Sequence, residues 1–457
     1  MKSVSEIPFA ADVVAVRDDL RSNGCKVFEP GTDGYARATH IWNGAITNEP
    51  ALIACCSTVD DVRFCLAAAR THHVPISVRG GGQDWVGRCL LPGGLVLDLS
   101  PMRRVLVDLA ARTAEFGGSA TAADISAAIG SLDLAAVTGN AAAVGMAGLF
   151  TGGGYGPLTT RLGMASDSLL QAEVVLASGE VVQADATRNA DLFWALRGGG
   201  GNFGVVTSMR VRLYAVGTIL SGTILFPWKD AQSVLRGYAD SVSSAPDELS
   251  LAVAMSVTPD ETPIVVLAPT WSGEAEEGRR IVTRLQSFGT PFMTKFEPTT
   301  FGQILAFADT QLPPGRRYDV RTRWMGHLSA DAIATLVAAY EDKTSPLSRI
   351  VLNHFHGAGT RIASNESAFG MRREHFTALI YAAWEPDAGD AALHRTWAVN
   401  LSSSLTAFAE PGGYANLLAP DALDQIAAAY PGNEIRLAEL KRRFDPDNVF
   451  SAIPLPM

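Results

Sequence analysis

From residue 11 the apolar positions recur at helical spacing. Val13, Val14, Val16 and Leu20 share one side of a helix predicted over 11–24, with Arg17, Asp18 and Asp19 opposite. The run Ala51-Leu52-Ile53-Ala54-Cys55-Cys56 predicts a short buried strand, and Ser57-Thr58-Val59-Asp60-Asp61 supplies helix-start chemistry for 59–73. Strands follow at 76–79, 95–99 and 105–108. A strand around Glu115 then runs through Gly117-Gly118 into an alanine-rich helix beginning near Thr121. Next come a strand at 172–177, a Ser178-Gly179-Glu180 turn into Val181-Val182, a helix at 189–196 and a strand at 205–213. A βαβ-rich start of this kind is typical of a nucleotide-cofactor domain.

Near 215 the texture changes. Strands at 217–226, 249–257, 262–270, 318–326 and 349–356 alternate with longer amphipathic helices at 229–243, 274–287 and 329–341. This predicts an antiparallel sheet with helices on one face and a core of its own. After Glu410-Pro411-Gly412-Gly413 the tail is helical at 422–430 and 436–450. The fold class is therefore α+β, with a first domain over 1–214, a second over 215–416 and a C-terminal segment over 417–457.

Composition narrows the function. A chain of 457 residues exceeds one ordinary core, and 47% apolar with 18% charged residues fits a compact enzyme. The formal charge of −10, without a long Lys/Arg run, argues against nucleic acid or an anionic membrane as partner. Cys25, Cys55, Cys56, Cys65 and Cys89 lack CxxC spacing and read as buried free thiols of a reducing compartment. The first twenty residues carry no export signal and no apolar span reaches membrane length, so a soluble, cytoplasmic protein is expected.

Three glycine clusters carry the candidate chemistry. In Val78-Arg79-Gly80-Gly81-Gly82-Gln83-Asp84, consecutive glycines allow main-chain N–H groups to converge on an anion, though an ordinary hairpin turn fits the same run. The second cluster, Gly145 to Gly156, has helical spacing with small residues on one face, suited to packing against a flat ring or a diphosphate, or against another helix. The third, Arg197 to Val206, contains a formal GxGxxG at Gly199–Gly204. That fingerprint must follow a strand and open a helix; here a helix precedes it and a strand follows, which argues against a nicotinamide cofactor.

Three clusters in this order, with the Tyr430–Phe450 tail, resemble the FAD-linked oxidases of the vanillyl-alcohol-oxidase superfamily, in its berberine-bridge-enzyme-like branch. Trp42-Asn43-Gly44, Gly94 to Ser100 and Gly413-Tyr414-Ala415-Asn416 extend the likeness. The resemblance implies a two-lobed, PCMH-type FAD-binding domain, completed by the tail, and a substrate domain roofing the flavin. It implies that Arg79, Gly80, Gly81, Gly82, Gln83 and Asp84 wrap the pyrophosphate. Val144, Gly145, Gly148, Thr151, Gly152 and Gly153 would line the ribityl chain and diphosphate. Gly201 and Val206 would sit by the adenosine part, and Tyr430 and Asn433 by the flavin ring. Where the family usually has a flavin-linking histidine, this chain has Gln83. Residues 141–156 hold no cysteine for a second link. A carboxamide is no nucleophile at neutral pH, so the expected FAD is non-covalent.

The resemblance also implies hydride transfer from a small organic substrate to the flavin, with a protein base taking the heteroatom proton and O₂ as reoxidant. The substrate would be an alcohol, amine or secondary-metabolite skeleton. A non-redox cyclase or isomerase retaining FAD is the alternative. In plant-like relatives the base region lies on a strand that matches His375–Trp384, but Thr377 and Leu379 there are not bases. His375 and Tyr381 share a face of that strand by even spacing. His354 and His356 alternate likewise, and His356 replaces a family glycine. Tyr414 matches a tyrosine facing the flavin, and Tyr155 is a further candidate. The catalytic candidates are thus Tyr414, His356, His354 and Tyr381, and no metal is expected, a His-x-His pair lacking a third ligand.

Overall fold

The computed structural model describes residues 9–130, 132–451 and 453–455. Its first lobe is a four-stranded sheet in the order Lys26–Phe28, Leu52–Cys55, Leu95–Asp98, Ile76–Arg79. The last three strands run parallel, and only the first is antiparallel to its neighbour. Parallel neighbours need crossover connections. Helix Val59–Thr71 carries the chain from Leu52–Cys55 to Ile76–Arg79, the strands on either side of Leu95–Asp98, and is started by a capping box in which Thr58 accepts from the Asp61 N–H and Asp61 accepts from the Thr58 N–H. The second lobe is a five-stranded antiparallel sheet: Val105–Asp108, Thr113–Gly117, Val205–Arg212, Leu169–Val175, Val181–Asp185. Its inner face packs Phe116, Val174, Met209 and Val211 against helices Ala122–Ile129, Met146–Gly152 and Ala190–Leu196.

The second half forms a seven-stranded sheet, antiparallel throughout, in the order Met293–Thr299, Ile219–Pro227, Pro263–Trp271, Leu249–Val257, Arg349–Phe355, His375–Trp384, Arg317–Met325. Strand His375–Trp384 shows how the period of two divides the labour. Phe376, Ala378, Ile380, Ala382 and Trp384 enter a core with helices Ala231–Val242, Ala330–Glu341 and Ala391–Ser404, while Thr377, Leu379 and Tyr381 face a cavity. Helices thus cover one face, and the other is turned towards the two lobes.

Three contacts lock the halves together. The tail returns to the second lobe, where Tyr430, Leu437 and Leu440 join the core around Phe116, and Phe450 reaches the core of the first. Helix Phe301–Gln311 buries Phe301 and Leu305 in that same second-lobe core. Arg372, 5% exposed, makes two 2.8 Å bonds to Asp167, while the Phe369 N–H donates to the Arg197 carbonyl. No helix among the described residues is long and apolar enough to cross a membrane.

Candidate active site

The two lobes and the open face of the seven-stranded sheet enclose a cavity of 480 Å³. Its lobe side is mostly bare main chain. Gly80, Gly81, Gly82, Gln83 and Asp84 line it, as do Val144, Gly145, Gly148, Thr151, Gly201 and Val206. Gly81 and Gly145 come so close that a Cβ on Gly81 would stand 2.6 Å from the Gly145 nitrogen. Glycine is required at both for the loops to meet. Gly148 and Gly201 differ: a Cβ there would meet no protein atom within 4 Å, so the space they leave opens into the cavity.

Among the described residues, no protein acceptor takes the N–H groups of Gly81, Gly82 or Gln83. Consecutive unpaired N–H groups at a cavity wall suit a diphosphate. The glycine wall and these free donors fit FAD.

Other residues expected around a flavin lie off the cavity or spend their side chains on protein partners. Arg79 is behind the loop, 2.8 Å from Asp98, with its Nε buried and unpartnered. Asp84 lines the cavity, but its carboxylate holds its own loop: it accepts from the Val86 and Arg88 N–H groups and pairs with the Arg88 guanidinium at 3.2 Å. Gly152 packs on the Asn416 amide and Gly153 on Met164 and Phe369. The Asn433 amide donates to the carbonyls of Ser364, Ser367 and Ala368, so it fastens a loop. Tyr430 is 2% exposed, off the cavity, with its hydroxyl unpartnered.

The sheet side is uncharged and mixes polar with apolar groups, presenting Ser250, Asn353, Thr377, Leu379, Tyr381 and Phe355. Here the structure gathers an aromatic cluster. Tyr414 meets Tyr155 edge-on with ring centroids 5.1 Å apart, and Tyr155 also packs against Phe355, Phe369 and His375. Burial pushes the hydroxyl pKa of both tyrosines up, that of Tyr381 to about 12. His354 borders the cavity, but its ring packs on Phe376 of the helix-covered face with centroids 4.6 Å apart, and burial, with smaller contributions from His356 and His375, lowers its pKa to about 3. His356 stacks on His354 at 5.1 Å but lies off the cavity, 4% exposed and also held neutral by burial. Tyr414 and Tyr381 therefore turn their side chains to the cavity, whereas the His354 and His356 rings do not.

His375, fully buried behind Tyr155, is the residue that sequence reasoning undervalued. Its even spacing from Tyr381 was the available signal, but its neighbour across the cavity comes from a loop 220 positions away. Asp309, on helix Phe301–Gln311, also lines the cavity, and nothing in its sequence context marks it. Among the described residues no group of three or more His, Cys, Asp or Glu is placed to hold a metal ion.

Comparison with known proteins identifies this architecture. Residues 50–185 match the FAD binding domain family and residues 413–453 the berberine and berberine-like family. The chain thus combines an FAD binding domain with a berberine-like C-terminal segment. It is 29% identical over 442 residues to (R)-6-hydroxynicotine oxidase of Paenarthrobacter nicotinovorans, covering 93% of this chain and 95% of that enzyme. The solved 6-hydroxy-D-nicotine oxidase of Arthrobacter nicotinovorans superposes with a TM-score of 0.85 at 27% identity, over 95% of this chain and 98% of that one. The glucooligosaccharide oxidase of Acremonium strictum, described as carrying 6-S-cysteinyl, 8α-N1-histidyl FAD, superposes at 0.84 with 23% identity, over 97% and 99% of the two chains. With these domains and relatives, the protein is an FAD-dependent oxidoreductase of small organic molecules.

Proposed function

We propose that this enzyme holds FAD by contacts alone and oxidises a small, weakly polar molecule lodged between the flavin and the seven-stranded sheet, with O₂ as the final acceptor. Bound FAD supplies the two-electron acceptor. Main-chain donors at Gly81–Gln83 hold its diphosphate, and the bare surfaces at Gly148 and Gly201 admit its chain. Gln83 has no partner among the described side chains and no nucleophilic atom, and Cys89, the cavity's only thiol, has its pKa raised to about 12 by burial. Both support a dissociable flavin, in contrast to the doubly linked flavin of the glucooligosaccharide oxidase.

The observation that carries the redox reading is the meeting of the glycine wall with the tyrosine cluster in one cavity. Tyr414, Tyr155 and Tyr381 offer neutral hydrogen-bonding groups where a substrate heteroatom would lie. Five free thiols support a reducing compartment. Anaerobic mixing with candidate alcohols and amines tests the reading. Bleaching of the flavin band establishes hydride transfer; product without bleaching would mean a cyclase or isomerase instead.

A further inference from the structure

Three of the five thiols meet in the core of the first lobe, away from the cavity. The antiparallel ladder between Lys26–Phe28 and Leu52–Cys55 ends at the pair Lys26 and Cys55, so its next step sets Cys25 opposite Cys56. Helix Val59–Thr71 lays Cys65 over that end of the sheet, with the Cys56 and Cys65 sulfurs 3.8 Å apart. The Cys25 thiol reaches the Asp61 carboxylate at 3.7 Å, the group that also caps the helix. Cys65 hydrogen-bonds to both other thiols and is therefore the middle member of the three.

The three differ in access and in acidity. Cys25, beside the exposed Asn23 and Gly24, is 6% exposed, whereas Cys56 and Cys65 are 0% exposed. The hydrogen bond from Cys65 holds the Cys25 thiol below its ordinary pKa, against the opposing effects of burial and Asp61. Cys65 is pushed well above the ordinary value by its bonds to Cys25 and Cys56 and by burial. A thiolate, the reactive form, thus arises most readily at the one sulfur that solvent touches.

We propose that Cys25, Cys65 and Cys56 form a thiol relay, in which hydrogen peroxide enters at Cys25 and the oxidation comes to rest as a Cys56–Cys65 disulfide. In the first step the Cys25 sulfur attacks a peroxide oxygen, an S–O bond forms and the O–O bond breaks. The departing hydroxide takes the thiol proton and leaves as water, and Cys25 is a sulfenic acid. Cys65 then attacks the Cys25 sulfur; an S–S bond forms, the S–O bond breaks, and the hydroxyl leaves with the Cys65 proton as a second water. Finally Cys56 attacks the Cys65 sulfur, and Cys25 departs with the Cys56 proton, a thiol again. One peroxide is reduced to two waters as two thiols become one disulfide. Burial shields that final pair from reductants in solution. Hydrogen peroxide is what O₂ becomes on taking two electrons and two protons from a reduced flavin. Because the test supplies it as a reagent, the relay and the choice of O₂ as acceptor fail separately.

The test uses FAD-loaded protein, reduced with dithiothreitol, freed of it under nitrogen and treated with one equivalent of hydrogen peroxide. Remaining thiols are alkylated in denaturant, and tryptic peptides are sequenced by mass spectrometry. Free thiols should fall from five to three, with Cys56 joined to Cys65 and with Cys25, Cys55 and Cys89 alkylated. In Cys25→Ala the disulfide should form at least about tenfold more slowly, since the remaining pair is buried and held protonated. Cys25→Ser repeats that rate measurement with a side chain of nearly the same shape. Cys65→Ala should strand a sulfenic acid on Cys25 that dimedone captures. Thiols untouched by the peroxide, or a disulfide on any other pair, would overturn the proposal, and the unaltered chain alone decides both. So would a Cys56–Cys65 bond that forms as fast without the Cys25 sulfur, or a Cys25 that dimedone fails to label in Cys65→Ala.

Discussion

Gly148→Ala adds one methyl group to helix Met146–Gly152, on the side that faces the cavity. No protein atom lies within 4 Å of the new carbon, so the apo-protein accommodates it without strain. Alanine also loses less conformational freedom than glycine inside a helix, so the apo fold should gain about 0.5–1 kcal/mol. The cofactor should meet the opposite effect, because the methyl takes space the flavin nucleotide requires. Overpacking of one methyl costs about 1–3 kcal/mol, a loss of roughly 5- to 150-fold in FAD affinity. Urea unfolding of the apo-protein and FAD titration by quenching of flavin fluorescence read the two effects separately. A control at Gly81 should behave differently, since a Cβ there collides with the Gly145 backbone at 2.6 Å and must weaken the fold itself. If Gly148→Ala left FAD affinity within twofold of the parent, the glycine wall would not be where the cofactor lies.

Arg372→Met removes one partner of a buried ion pair, leaving Asp167 charged and unpaired, and should destabilise the fold by about 3–5 kcal/mol; thermal unfolding of the single variant against Arg372→Met/Asp167→Leu, in which much of the loss returns, checks this. Acidification should weaken the fold through His375, whose pKa burial holds at about 4. The unfolded chain, with the ordinary value near 6.5, binds more protons between these limits, so this contribution is complete above pH 6.5 and is lost as pH falls through 4. Between pH 7 and pH 5 the loss amounts to about 2 kcal/mol, and His375→Asn should remove that part of the pH dependence of the urea midpoint; an unchanged slope would contradict it.

Much of the architecture was legible because period and burial agree. Strand His375–Trp384 alternates a helix-covered face with a cavity face, and Leu249–Val257 alternates buried with half-buried positions as far as Met255. The formal GxGxxG was also readable from context, because helix Ala190–Leu196 precedes it and strand Val205–Arg212 follows. The edge strand Met293–Thr299 escaped notice: it is mostly exposed, so no apolar alternation marks it, and Pro298 interrupts its propensity. Helix Phe301–Gln311 did carry a signal, the Thr300–Gln303 capping box, but its apolar residues serve the other domain's core rather than a stripe of its own. The site divides in the same way. Glycines that bring backbones together are visible as clusters, whereas the Tyr155–His375 contact joins positions 220 residues apart, and only the fold brings them together.

The account depends most on a dissociable flavin in the glycine-walled cavity. A visible spectrum of the purified protein, taken before and after acid precipitation, tests that directly. Yellow protein that releases its flavin to the supernatant, leaving a white pellet, is the expected result. Colour retained in the pellet would contradict the role assigned to Gln83, and colourless protein that refuses added FAD would contradict the cavity's assignment altogether.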